Sequence, residues 1–92
     1  MIGRITIMSY VYILLLKNGN LYTGYTTDLK RRLDEHQAGM VMSTHGREPK
    51  LIHYECYKLD SDARRREKFL KTTEGKRLLR QQIRDVLLKK ST

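Results

Sequence analysis

A chain of 92 residues, 39% hydrophobic and 32% charged, holds one domain with a single modest core, and this balance excludes a wholly disordered polymer. Its 19 Lys and Arg against 10 Asp and Glu give +9; residues 58–92, with 12 basic and 5 acidic side chains, carry +7 of it, a field that favours a polyanion such as nucleic acid. The lone Cys56 excludes an internal disulfide and a cysteine zinc cluster, and the apolar run Tyr10 to Leu16 is too short to span a bilayer, so a cytoplasmic protein without membrane association is expected.

Residues 1–8 are expected to be an N-terminal extension outside the core, since Met8 is itself a possible start, and residues 9–90 a single domain. Tyr10 to Leu16 is rich in β-branched, aromatic and leucine residues and runs into Lys17-Asn18-Gly19-Asn20, a hairpin signal, with Leu21 to Thr26 as the returning strand. The loop length decides which side chains share a face. A two-residue turn at Asn18-Gly19 pairs Tyr12 with Tyr25 and puts Tyr12 and Tyr22 on opposite faces; a three-residue loop with Gly19 left-handed pairs Leu16 with Asn20 and puts them together. A site shared by the two tyrosines requires the second, which is the geometry expected.

Thr27 and Asp28 start a helix and Gly39 stops it, bracketing Leu29 to Ala38, with Leu29 and Leu33 as the inward stripe and Arg32 and His36 along its edge. Met40 to Lys50 has loop composition, including Ser43, Thr44 and Arg47. A third strand is expected over Leu51 to Tyr57, with Ile52, Tyr54 and Cys56 on one face and His53 and Glu55 on the other. Asp60 or Ser61 then caps a helix running to about Lys71, whose stripe is Leu59, Ala63 and Leu70 broadened by Phe69, with Glu67 at the opposite edge. After a break at Thr72 to Gly75, a final helix from Glu74 to Lys89 turns Leu79, Ile83, Val86 and Leu87 inward. The order is β-β-α-β-α-α.

Four of these residues have the chemistry that cutting a phosphodiester needs. Tyrosines position or deprotonate water, an arginine grips phosphoryl oxygens, and a carboxylate holds a divalent ion. Tyr12, Tyr22, Arg32 and Glu67 supply those parts. Arg31, Arg47, Arg64, Arg65, Lys76 and Arg80 are candidates for binding the nucleic-acid backbone rather than reading bases. Tyr25, Tyr54 and Tyr57 are open to stacking on unpaired bases, with core packing the more common use of such residues.

Tyr12, the segment Tyr22-Thr23-Gly24-Tyr25-Thr26-Thr27-Asp28-Leu29, Arg32 with His36, and Arg66-Glu67-Lys68 resemble the GIY-YIG nuclease domain over about residues 9 to 80, as found in small stand-alone bacterial proteins. The resemblance implies an α+β fold, a three-stranded antiparallel sheet flanked by helices, and metal-dependent hydrolysis of nucleic-acid phosphodiesters. It implies Tyr12 as general base or water-orienting group, Tyr22 lining the site, Gly24 for close backbone packing, Arg32 on the scissile phosphate, His36 in support, and Glu67 as ligand of one Mg2+ or Mn2+ ion. The expected protein is a DNA endonuclease acting in repair or recombination, selective for structure or weakly for sequence. The alternative is a nucleic-acid-binding module with weak catalysis. That alternative is motivated by two departures, Tyr25 where many members carry lysine and no asparagine after Glu67; a third, Tyr10-Val11-Tyr12 in place of Gly-Ile-Tyr, keeps the tyrosine and loses a glycine of backbone geometry.

Overall fold

Gly19 has φ +89°, its N–H donates to the Leu16 carbonyl at 2.9 Å, and the Leu16 N–H donates to the Asn20 carbonyl at 2.9 Å. The computed structural model, which describes residues 7–90, thus closes the hairpin with the odd loop and a left-handed glycine. Residues 1–6 of the expected extension lie outside the described residues. The loop joins β1 (Ser9–Leu15) to β2 (Leu21–Thr26) with Leu15 opposite Leu21, Leu14 opposite Tyr22 and Tyr12 opposite Gly24. Alternation then puts Tyr10, Tyr12, Leu14, Tyr22 and Gly24 on one face of the sheet, and Val11, Ile13 and Tyr25 on the other.

The third strand, β3 (Lys50–Tyr57), pairs antiparallel with the far side of β1, so the sheet order is β2-β1-β3. Ile13 opposes His53 but Leu14 opposes Leu51, leaving Ile52 as the extra residue of a bulge. This corrects the face expected from strict alternation. Ile52 packs against the core of Val11 and Ile13, while Tyr54 and Cys56 remain exposed on the Tyr12 face.

One helix, α1 (Leu29–Gln37), belongs to the Tyr12 face. The Asp28 carboxylate accepts from the Arg31 N–H at 3.1 Å to cap it, and Gly39 follows its end with φ +75°. Its buried residue is His36, whereas the expected inward stripe of Leu29 and Leu33 is only half-buried. The other face carries α2 (Asp60–Leu70), α3 (Thr73–Gln82) and α4 (Arg84–Lys90), whose Ala63, Leu70 and Leu79, with Ile83 at the junction of α3 and α4, close the core over Val11 and Ile13.

Two expectations on this side are corrected. Leu59 precedes the helix and is exposed, and neither Asp60 nor Ser61 caps it; the Asp60 carboxylate instead takes hydrogen bonds from Ser9, Tyr25 and Arg64. The final helix is two helices, because the chain turns at Ile83 (φ −107°, ψ 27°). That turn brings Ile83 and, one turn on, Val86 and Leu87 onto the same core.

Candidate active site

Tyr12 occupies the middle of the central strand and is fully buried, so its phenol must have partners. Its ring lies across the backbone of Gly24 on β2: a Cβ built there would fall 2.2 Å from Tyr12 Cζ and 2.4 Å from Tyr12 Oη. Only glycine leaves room for the ring to take this path. At its end the Tyr12 hydroxyl lies 2.9 Å from His36 Nε2 and accepts from Arg32 Nε at 3.4 Å. Tyr22 completes the group, its ring 5.3 Å from the His36 ring at 65° and 6.3 Å from the Tyr12 ring.

The cluster is held from outside by two residues that sequence reasoning did not single out for this role. Thr44 is fully buried in a short 3-10 turn (Met42–Thr44), and its Oγ1 lies 2.7 Å from His36 Nδ1. Both ring nitrogens of His36 are therefore engaged, one by Thr44 and one by Tyr12. Glu35 accepts from Arg32 Nη1 at 2.9 Å and from Arg31 Nε at 3.3 Å. The Arg32–Glu35 spacing is a helical i,i+3 pair legible in sequence, whereas nothing local connects Thr44 to His36.

The electrostatics follow from burial. Desolvation raises the Tyr12 phenol above its usual range, against the pull of Arg32, so the group is a neutral phenol near neutral pH. Desolvation and then the Arg32 charge lower His36, leaving a neutral imidazole. Arg32 is raised by its bonds to Tyr12 and Glu35; its Nη2 has no protein partner among the described residues and is free to meet an anion.

Glu67 approaches from the other layer. On α2 the row of Asp60, Arg64 and Glu67 follows the β2 side: Asp60 bonds the Tyr25 hydroxyl, and the Arg64 guanidinium stands 4.2 Å over the Tyr25 ring. The negative charge of Glu67 adds a push to the Tyr12 phenol that is smaller than those of burial and of Tyr22, although Tyr12 belongs to the opposite face. Glu67 Oε2 accepts from Lys71 Nζ at 3.0 Å. Among the described residues no group of three or more His, Cys, Asp or Glu could hold a metal by itself. A single carboxylate still fits a magnesium-like ion, which takes one or two protein carboxylates and fills its remaining positions with water and substrate phosphate.

The other expected nucleic-acid contacts are scattered. Arg31 lies on α1 beside the cluster, and Arg47 is exposed in the loop after Thr44. Arg64 shares the Glu67 row, but Arg65 pairs with Asp62, Arg80 donates to the Gly19 carbonyl at 3.4 Å, and Lys76 is exposed on α3. Those last three belong to the helical layer and do not converge on Tyr12. Of the remaining tyrosines, Tyr25 and Tyr57 pack against the core.

The comparisons with known proteins identify the domain and its fold. The model of the GIY-YIG catalytic domain matches residues 8–80. A UPF0213 protein of Haloquadratum walsbyi is 44% identical over 81 residues, covering 84% of this chain and 91% of that protein. One from Streptococcus agalactiae is 42% identical over 69 residues, covering 73% and 78%. The solution NMR structure of a UPF0213 protein from Bacillus halodurans is 37% identical, covers 78% of this chain and 81% of its own, and superposes with a TM-score of 0.52.

Proposed function

The chain belongs to the GIY-YIG family, and from that premise we propose that it is a divalent-metal-dependent endonuclease that hydrolyses DNA phosphodiester bonds at the Tyr12 cluster, in repair or recombination. The observation that carries this reading is the Tyr12 hydroxyl, bonded at once to a neutral histidine and to an arginine with an open edge.

Because its pKa is raised, Tyr12 is held as the neutral phenol and is not a base on its own. It becomes one by passing its proton on: as the hydroxyl takes a proton from an attacking water, its own moves to His36 Nε2, 2.9 Å away. The hydrogen bond from Arg32 Nε stabilises the phenolate character that develops on the way. Arg32 Nη2 takes a phosphoryl oxygen, Glu35 fixes the guanidinium plane, and Tyr22 walls the site. Glu67 would hold one Mg2+ or Mn2+. Such an ion, when bound, supplies Lewis-acid neutralisation of the phosphoryl oxygens and of the leaving oxygen.

Nicking of supercoiled plasmid in magnesium, comparing the parent with Tyr12→Phe, Arg32→Ala and Glu67→Ala, tests the proposal. Loss of at least about 100-fold in each variant supports it. Equal activity in all four preparations would mark a contaminant and sink it. A second reading, a nucleic-acid-binding module with weak catalysis, is favoured by the pairing of Glu67 with Lys71 and by the absence, among the described residues, of any cluster of three or more His, Cys, Asp or Glu. Salt-sensitive DNA binding by a parent that does not nick would select it.

A further inference from the structure

The six tyrosines divide by face, and the division assigns a task to one of them. Tyr25 and Tyr57 pack against the helical core, while Tyr12 and Tyr22 are tied to His36. Tyr10 and Tyr54 remain, both on the face that carries Tyr12, with ring centroids 6.2 Å apart. Tyr54 is 53% exposed, is the direct cross-strand partner of Tyr12, and makes no side-chain hydrogen bond among the described residues. An apolar ring face is thus held open to solvent on a rigid sheet, braced by a second tyrosine, one strand from the Tyr12 backbone and two from the β2 line on which the Tyr12 hydroxyl lies.

We propose that Tyr54, supported by Tyr10, is a stacking shelf for an unpaired nucleobase beside the scissile phosphate, so that single-stranded or displaced strands are the substrate class of this site. The proposal rests on the nuclease reading above and extends it from chemistry to selectivity. The occupant follows from charge and position. Most of the +9 lies in the helical layer behind the sheet, but Arg31 and Arg32 on the adjoining helix and the exposed Arg47 in the loop after it draw a polyanion to this face. A strand whose phosphate meets Arg32 beyond the far edge of Tyr12 then crosses the sheet toward β3. Neighbouring strands lie about 4.8 Å apart, so Tyr54 stands roughly 10 Å from the Gly24 line, where the base of an adjacent nucleotide falls. Every base has a face that stacks on an aromatic ring, which makes the contact tolerant of sequence. In a duplex those faces are already covered by neighbouring base pairs, so the shelf discriminates by strandedness.

The test is fluorescence anisotropy with a labelled single-stranded DNA oligonucleotide and a blunt duplex of the same sequence, at one fixed low salt concentration. The parent binds the single strand more tightly than the duplex, and Tyr54→Ala weakens only the single strand, by roughly tenfold. Tyr54→Trp keeps the preference. Moving one abasic site along the oligonucleotide finds a position that weakens the parent and is silent in Tyr54→Ala. Parental single-strand binding by Tyr54→Ala overturns the shelf and leaves the nuclease reading intact. A parent that binds neither probe overturns both. A parent that sediments as a dimer, with Tyr54→Ala a monomer, gives this face to a second copy of the chain and overturns the shelf.

Discussion

Replacing Gly24 with alanine isolates the contact on which the proposed chemistry depends. The new methyl group would stand 2.2 Å from Tyr12 Cζ, 2.4 Å from its hydroxyl and 2.7 Å from Cε1, where ordinary contact begins near 3.4 Å. Either the ring or the β2 backbone must therefore move by about 1.2 Å. The ring cannot swing away freely, because it is fully buried and its hydroxyl is held by His36 at 2.9 Å and Arg32 at 3.4 Å. A shift of that size breaks at least one of the two bonds. A misplacement of about 1 Å costs roughly 100-fold in rate, and overpacking of a closed core costs about 1–3 kcal/mol of stability. Single-turnover nicking of plasmid in magnesium should accordingly fall by roughly 100-fold in Gly24→Ala, and urea melting should show the destabilisation without loss of cooperativity. A folded Gly24→Ala protein that nicks within about threefold of the parent would refute the argument that Gly24 sets the position of the Tyr12 hydroxyl.

Further predictions come from two places, the surroundings of the cluster and the opposite face of the sheet. Thr44→Val leaves His36 Nδ1 buried without its 2.7 Å partner and should cost about 1–3 kcal/mol by denaturant melting, whereas Thr44→Ser should stay near the parent; equal losses would deny the hydrogen bond its role. Because burial, and then Arg32, lower the His36 pKa below its usual 6.5, its contribution to stability is complete above pH 6.5 and is lost as the pH falls toward the lowered value. The same melt between pH 7 and 5 should therefore show a decline that His36→Gln flattens; identical slopes would contradict it. The second concerns Glu55, on the opposite face. Burial by itself would raise its carboxyl, but hydrogen bonds from Arg66, Tyr57 and His53 outweigh this and hold it at about 2, against an ordinary 4.5. The stabilisation is present above pH 4.5 and lost as the pH falls through about 2, so Glu55→Gln should cost about 2–3 kcal/mol at pH 7 and lose much of the acid sensitivity. An unchanged acid transition would exclude this cluster as its source.

Much of the frame was legible along the chain because it rests on local backbone preference. The Asn18-Gly19 turn, required to be odd if Tyr12 and Tyr22 share a face, is odd, with Gly19 left-handed. Asp28 and Gly39 bracket α1 through a side-chain cap and a positive φ that depend only on adjacent residues. The spacing of Tyr12, Tyr22 to Gly24, Arg32 and Glu67 gave the family resemblance before any geometry, and the domain match over residues 8–80 bears it out. Glu35 was within reach of the same reasoning, three residues from Arg32 on one helix.

What the sequence could not determine was what depends on packing between distant elements. His36, expected at the edge of the stripe and aimed toward the sheet, is instead the most deeply buried residue of α1, deeper than Leu29 and Leu33, because Thr44, across an irregular loop, and Tyr12, on another strand, satisfy both its nitrogens and make its burial tolerable. A one-residue bulge moved Ile52 onto the core and left Tyr54 in the open, since strict alternation fails wherever a strand carries an extra residue. Glu67 lies on the β2 side of a helix in the layer opposite Tyr12, a placement set by how α2 lies along β2. Local preference fixed the strands and the bounds of α1; only the tertiary structure decided which polar groups came within hydrogen-bonding distance, because burial and its compensation are properties of the packed whole.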